Sequence, residues 1–129
     1  MPKKKSLQVE EPADVKAEVK EEAKADLREA LDNIVTEEGI IGYILKGPTS
    51  ATVDLKDPSS IIDYAVFSSA AFESSDSLSH LFALGKIHRV VLEGKDIKVL
   101  CMTVDDQRLS VFMEKNVDHN SINKKLTQS

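Results

Sequence analysis

The residues of this chain that could do chemistry are few, and their spacing gathers none of them into a site. His80, His88 and His119 fall on a helical run, at a strand start and at a helix start, with no HxxxH or CxxC pair to hold a metal. Cys101 is the only cysteine and sits among Val99, Leu100 and Met102, where a thiol is a small core hydrophobe rather than an exposed, electropositively placed nucleophile. Asp105 and Asp106 are adjacent carboxylates, but between two strands they are the ordinary chemistry of a tight turn. Gly39, Gly42 and Gly47 match neither GxGxxG nor GxxxxGK[ST], and no serine occupies a GxSxG elbow. Arg28, Arg89 and Arg108 are the three guanidinium groups that could be offered in trans to a nucleotide-hydrolysing partner, and each has an ordinary structural or solvent-facing role on its own element. The reading is of a protein without catalytic, cofactor or metal-binding residues, which acts by binding other proteins.

The elements that would carry these residues follow from hydrophobic period and punctuation. Residues 1–12 lack a period and contain Pro2 and Pro12, so they read as a disordered leader ahead of one domain over 13–127. From Ala13, Val15, Val19, Leu27, Leu31, Ile34 and Val35 repeat at mostly three- and four-residue spacings, predicting an amphipathic helix that stops at Gly39, with 13–22 as an extension free to fray. Ile40 to Lys46 and Ala51 to Leu55 form two strands around Gly47-Pro48-Thr49-Ser50. Asp57-Pro58-Ser59 opens a second helix that runs to Leu84 with Gly85 as its stop; a restart at Ser74-Ser75-Asp76-Ser77 is the alternative. Strands at His88 to Glu93, Ile97 to Val104 and Arg108 to Glu114 form a meander, and Asp118 or Asn120 caps a last helix ending near Leu126, before a frayed Thr127-Gln128-Ser129. The strand IKVLCMTV is apolar on both faces apart from Lys98 and is expected at the centre of a sheet covered on both sides. The order is α-β-β-α-β-β-β-α, an α+β fold.

Composition excludes several classes of function. Of the formal net charge of −5, residues 1–38 carry −4, with 7 Lys and Arg against 11 Asp and Glu, so the remainder is almost neutral. That balance gives a nucleic acid no basic surface, and aromatic residues are only 5% of the chain, too few for base stacking. Lys3-Lys4-Lys5 is a short solubilising tail rather than an anchor. No apolar run approaches the roughly 20 residues that membrane insertion requires, and the charged first 30 residues do not form a signal peptide. A lone cysteine gives no intramolecular disulfide, so a cytoplasmic protein is expected.

The second helix asks for more than a sheet. Ile61, Ile62, Ala65, Val66, Phe72, Leu78, Leu81 and Phe82 are apolar on more than one side, and Ser68, Ser69, Ala70, Ala71, Ser74 and Ser75 make its middle small enough for another backbone to come close. Two coverings are open: the first helix laid over it, or the same helix of a second copy.

Several local patterns resemble the Roadblock/LC7 family of small dimerising domains. They are Glu38-Gly39-Ile40-Ile41-Gly42 before the first strand, the Ala/Ser-rich helix ending in Leu84-Gly85, His88-Arg89-Val90-Val91-Leu92-Glu93 after it, and Asp106 to Met113 before the last helix. The resemblance spans about Ala25 to Leu126; it departs from the family at Gly47-Pro48-Thr49, where an Asp-Gly turn is usual, and after Val117, where a glycine is common. It implies a profilin-like, five-stranded antiparallel sheet with the long helix on one face and the terminal helices on the other. It implies a homodimer, or a dimer with a paralogous roadblock protein, in which long helices pack side by side and the strands over 88–93 pair at their edges. Val66, Ser69, Ala70, Glu73, Ser77, Val90, Val91 and Leu92 are then the interface residues. The same resemblance implies a Ras-like small GTPase as the further partner, as for the prokaryotic regulators of such GTPases. The rival classes are a small-molecule sensor with a pocket between sheet and helix, and a structural subunit of a larger assembly.

Overall fold

Alternation along the strands decides the architecture, because almost every strand is apolar on both faces and a helix layer must therefore cover each. The computed structural model describes the backbone of residues 7–9 and 17–127 and the side chains of residues 26–127. Strand β1 is Leu7–Val9, helix α1 Ala17–Ile34, β2 Ile40–Lys46 and β3 Ala51–Leu55. A single 3-10 turn at Pro58–Ser60 leads into α2, Ile61–Phe82, followed by β4 Arg89–Glu93, β5 Ile97–Val104, β6 Gln107–Glu114 and α3 His119–Thr127. All pairings are antiparallel, in the order β1-β3-β2-β6-β5-β4.

On one face Leu27, Leu31 and Ile34 of α1 and Ile122 and Leu126 of α3 pack on Tyr43, Leu45, Leu100, Met102, Leu109, Val111 and Met113. On the other, Ala71 and Phe72 of α2 pack on Ile44, Val53, Leu55, Val99, Cys101 and Phe112. The expected five-stranded sheet, with the long helix on one side and the terminal helices on the other, is present as β2 to β6. Lys98, the polar exception on β5, lies on the α1/α3 face with only 6% of its surface exposed, its ammonium 3.1 Å from Nδ1 of His119 and 3.9 Å from a carboxylate oxygen of Glu93.

Some boundaries differ from the sequence reading for identifiable reasons. Leu7–Val9, inside the supposed leader, pairs with β3 as a sixth strand, whereas residues 1–6, 10–16 and 128–129, and with them the rest of the leader, the helix start and the last two residues, lie outside the described residues. Thr127, expected to fray, is the last residue of α3, its hydroxyl donating to Asn123 O at 3.0 Å. Helix α1 ends at Ile34, well short of Gly39, because the backbone tightens into three-residue hydrogen bonds, Thr36 N to Asn33 O and Glu37 N to Ile34 O, and the Thr36 hydroxyl donates to Asn33 O at 2.6 Å. Helix α2 crosses Ser74-Ser77 unbroken and ends at Phe82, where Ala83 is the left-handed cap at φ 53°, two residues ahead of the expected stop Gly85, whose φ is also positive at 74°. β5 is flanked by β6 and β4, one place from the sheet end rather than at its centre; its two apolar faces report helices above and below, not position in the strand order.

Gly42 is required where β2 bulges. Its φ is +153°, and an added Cβ would lie 2.2 Å from the carbonyl oxygen of Asp54 on β3. Gly42→Ala should therefore lower stability by about 2–4 kcal/mol, read from the urea midpoint, through backbone strain and overpacking.

Tyr43 is fully buried under α1, its hydroxyl has no hydrogen-bond partner among the described residues, and burial pushes its ionisation up to about 12 from the ordinary 10.0. The phenol is held neutral in the fold, so its contribution is complete below pH 10, where the unfolded chain begins to ionise, and is lost as pH rises towards 12. Relative to Tyr43→Phe, the wild type should lose about 2–3 kcal/mol across that interval in pH-dependent denaturation; parallel curves for the two proteins would contradict this.

Candidate functional site

Helix α2 sets the site because it is apolar on two sides and the sheet takes only one. Asp57 starts it: its carboxylate accepts from the Ser59 backbone N–H at 3.2 Å and from the Ser59 hydroxyl at 2.6 Å, which holds the acid below its usual range, and Pro58 occupies the first turn. Asp63 in the first turn and His80 in the last suit the helix dipole. With neither Gly nor Pro between Ile61 and Phe82, the helix has no break of its own. At its end the N–H groups of Ala83 and Leu84 both reach the carbonyl of Ser79, whose hydroxyl donates to Gly85 O.

The buried stripe is Ser68, Ala71, Phe72 and Ser75, spaced by three and four. The Ser68 and Ser110 hydroxyls bond at 2.6 Å across the helix–sheet boundary, with the Cys101 sulfur 3.5 Å from Ser110 Oγ. Tyr64 and Phe67 set their rings 4.6 and 6.1 Å from that of Phe112. Arg108 of β6 reaches up to Asp76 at 3.0 Å and lies 5.0 Å from the centre of the Phe72 ring.

The opposite stripe points to solvent. Ile62 is 75% exposed, Val66 64% and Leu81 72%, and Ser69, Ala70, Glu73 and Ser77 between them are exposed too; Phe82, 67% exposed at the helix end, lies seven residues after Ser75 and so on the side of the buried stripe. α1 does not cover this side, since it packs on the other face of the sheet. Beside the helix, β4 ends the sheet with one neighbour, β5, and its residues are exposed or half-buried. An exposed apolar helix stripe and an open strand edge are both features that association with another chain would cover.

All eight residues expected at an interface therefore lie on α2 or β4, in two different roles. Val66, Ser69, Ala70, Glu73 and Ser77 present side chains on the exposed stripe. In β4 only Leu92 does so: Val90 packs into the α2 core and Val91 into the α1/α3 core, so that strand would contribute backbone hydrogen-bonding groups. Ile62 and Leu81 lie on the same exposed stripe but are not among the eight residues. The signal was available, because Ile62 and Val66, then Ser77 and Leu81, continue the stripe at four-residue spacing.

The remaining chemical candidates stay apart. Among the described residues no group of three or more His, Cys, Asp or Glu side chains could hold a metal. Asp105 and Asp106 form the turn between β5 and β6, with Asp105 left-handed at φ 56°. Arg28 is half-buried on α1, Arg89 exposed at the start of β4, and Arg108 occupied by Asp76 and Phe72. No described helix is long and apolar enough to cross a membrane.

Among solved structures, the chain superposes on a Roadblock/LC7 domain from Streptomyces avermitilis with a TM-score of 0.64, over 77% of this chain and 87% of that one. The fold is that of the Roadblock/LC7 domain. Sequence identity over the match is 17%, so what the two Roadblock/LC7 folds share is the arrangement of helices and strands. No family model matches the sequence, and no curated protein does.

Burial raises the ionisation of the Cys101 thiol, against a smaller opposing effect of the Ser110 hydroxyl. Cys101 should therefore remain unmodified by a thiol reagent at pH 8 for hours and react stoichiometrically in denaturing urea; prompt reaction of the native protein would place it outside the core.

Proposed function

We infer that this chain is a dimerising, non-catalytic scaffold that binds a small Ras-like GTPase and modulates its nucleotide cycle. The observation that carries the dimer is the exposed apolar stripe of α2, the single helix on its face of the sheet, together with the open edge of β4. The pattern of the stripe suits self-association. An antiparallel two-fold centred between Ala70 and Glu73 would set Ile62 opposite Leu81, Val66 opposite Ser77 and Ala70 opposite Glu73, so that a small residue stands in each of the two inner pairs and large meets large at the ends. The exposed backbone of β4 would then extend the sheet into the second copy, which removes an edge that is otherwise an aggregation liability. The GTPase rests on the resemblance to Roadblock/LC7 domains at residues 38–42, 84–85 and 88–93, and the absence of a nucleotide-binding motif fits a partner that supplies the chemistry. A cytoplasmic location belongs to the same reading, as does a single domain, with the strand over 7–9 added to the expected span of 13–127.

A small-molecule sensor has less support. The space between α2 and the sheet, where its pocket was expected, is filled by Phe72, Phe112, Tyr64 and Phe67. An open groove of about 610 Å³ lies instead along α1 towards Lys125 of α3, lined by Asp26, Glu29, Asn33, Glu37 and Lys125, the last two ion-paired, with Ala30 and Ile34 as its apolar members; it does not lie between α2 and the sheet.

Light scattering behind size exclusion should give twice the chain mass at micromolar concentration. Ala70→Arg, at a position exposed in the monomer, should weaken association at least ~100-fold by forcing a long side chain into a close helix contact that has room only for a small one. A monomeric wild type, or a dimer indifferent to Ala70→Arg, would sink the interface; an unchanged single-turnover hydrolysis rate for Ras-like GTPases of the same cell would sink the GTPase part.

A further inference from the structure

The two ends of the sheet are treated differently. β4 has one neighbour and is open along its other side, with Arg89, Leu92 and Glu93 exposed. β3 would be the other edge, yet Thr52, Val53 and Leu55 are buried, as in an interior strand, and its outer side is occupied by β1 in the register Leu7 to Val53, Gln8 to Thr52 and Val9 to Ala51. The occupant comes from residues that have no other packed role in the sequence, ahead of α1 by the seven residues 10–16.

We propose that the segment Leu7–Val9 is an edge guard: it closes β3 against strand pairing by another chain and confines sheet-edge association to β4. Three properties of the segment fit this. It is short, so it satisfies the backbone groups of β3 without itself presenting a long new edge. It is tethered, so its local concentration at β3 exceeds that of any second molecule in solution. Its neighbours carry like charges in blocks, Lys3-Lys4-Lys5 before it and Glu10-Glu11 after it, which discourage further strands from stacking outside β1. The consequence is topological. A sheet with one open edge that pairs antiparallel with its own copy closes as a two-fold dimer, whereas a second open edge at β3 would let copies add without limit. This last step rests on the dimer reading above; the guarding of β3 does not.

The test keeps the chain full-length and replaces the guard with residues that cannot pair: Leu7→Pro, Gln8→Pro and Val9→Pro together. Amide hydrogen exchange and sedimentation velocity are run on wild type and triple variant, each also in the Ala70→Arg background. Exchange at Ala51–Leu55 is expected to rise at least tenfold in the triple variant, α1 and α3 keeping their protection, and species larger than those of the parent are expected to form with concentration. An added peptide of residues 1–12 should restore protection at β3 and dissolve those species. In the Ala70→Arg background the β4 side is disabled, so a new dimer of the triple variant there is association through β3. A wild type that never dimerises removes the dimer reading while leaving the exchange and the new species to decide this one. Unchanged exchange at Ala51–Leu55, or increased exchange with no new species at any concentration, overturns the proposal; so does loss of β3 protection on diluting the wild type, which would mean that the guard is donated by another molecule.

Discussion

Everything in this fold depends on a sheet that is apolar on both faces. Val99 and Cys101 of β5 face α2 while Leu100 and Met102 face α1 and α3, and β6 alternates likewise between Phe112 and its neighbours Val111 and Met113. Neither face tolerates water, so helices must lie on both. α1 and α3 share one face between them, which leaves α2 alone on the other. A single helix over a sheet has an outer side by construction. On α2 that side carries Ile62, Val66 and Leu81.

The polar contacts beneath α2 fix which side that is. Ser68 is tied to Ser110 and Asp76 to Arg108, bonds that hold the helix in one rotation about its axis. A rotation that turned the exposed stripe inward would break both bonds and bring Ala71 and Phe72 out of the core into water. The apolar stripe is thus exposed by design of the interior, and its small centre at Ser69 and Ala70 leaves room for a close neighbour.

Much of this was legible in the sequence because turns and periodicity are local. Gly94-Lys95-Asp96 and Asp105-Asp106 separate the last three strands where the structure turns, and β3 and β5 have the bounds that their composition predicts. What could not be read is set at long range. The serine cluster at 74–77 looks like a helix break until Ser75 is seen against the sheet and Asp76 under Arg108. Leu7-Gln8-Val9 is too short to show a period, and its strand exists only because β3 offers an edge. Val90 and Val91 read as a paired interface, but in a strand they must point to opposite faces, and both faces are core. The apolar excess of α2 was visible in composition, while which side it occupies depended on the sheet.

The central claim is that the outer side of α2 and the edge of β4 are one surface made for a second copy. Amide hydrogen exchange followed across protein concentration tests it at the residues concerned. Protection at Val90 to Leu92 should grow as concentration rises through the dissociation constant, together with that of the middle of α2, while β2 and β6 stay constant. Exchange at Val90 to Leu92 that is fast and independent of concentration, up to the solubility limit, would contradict it.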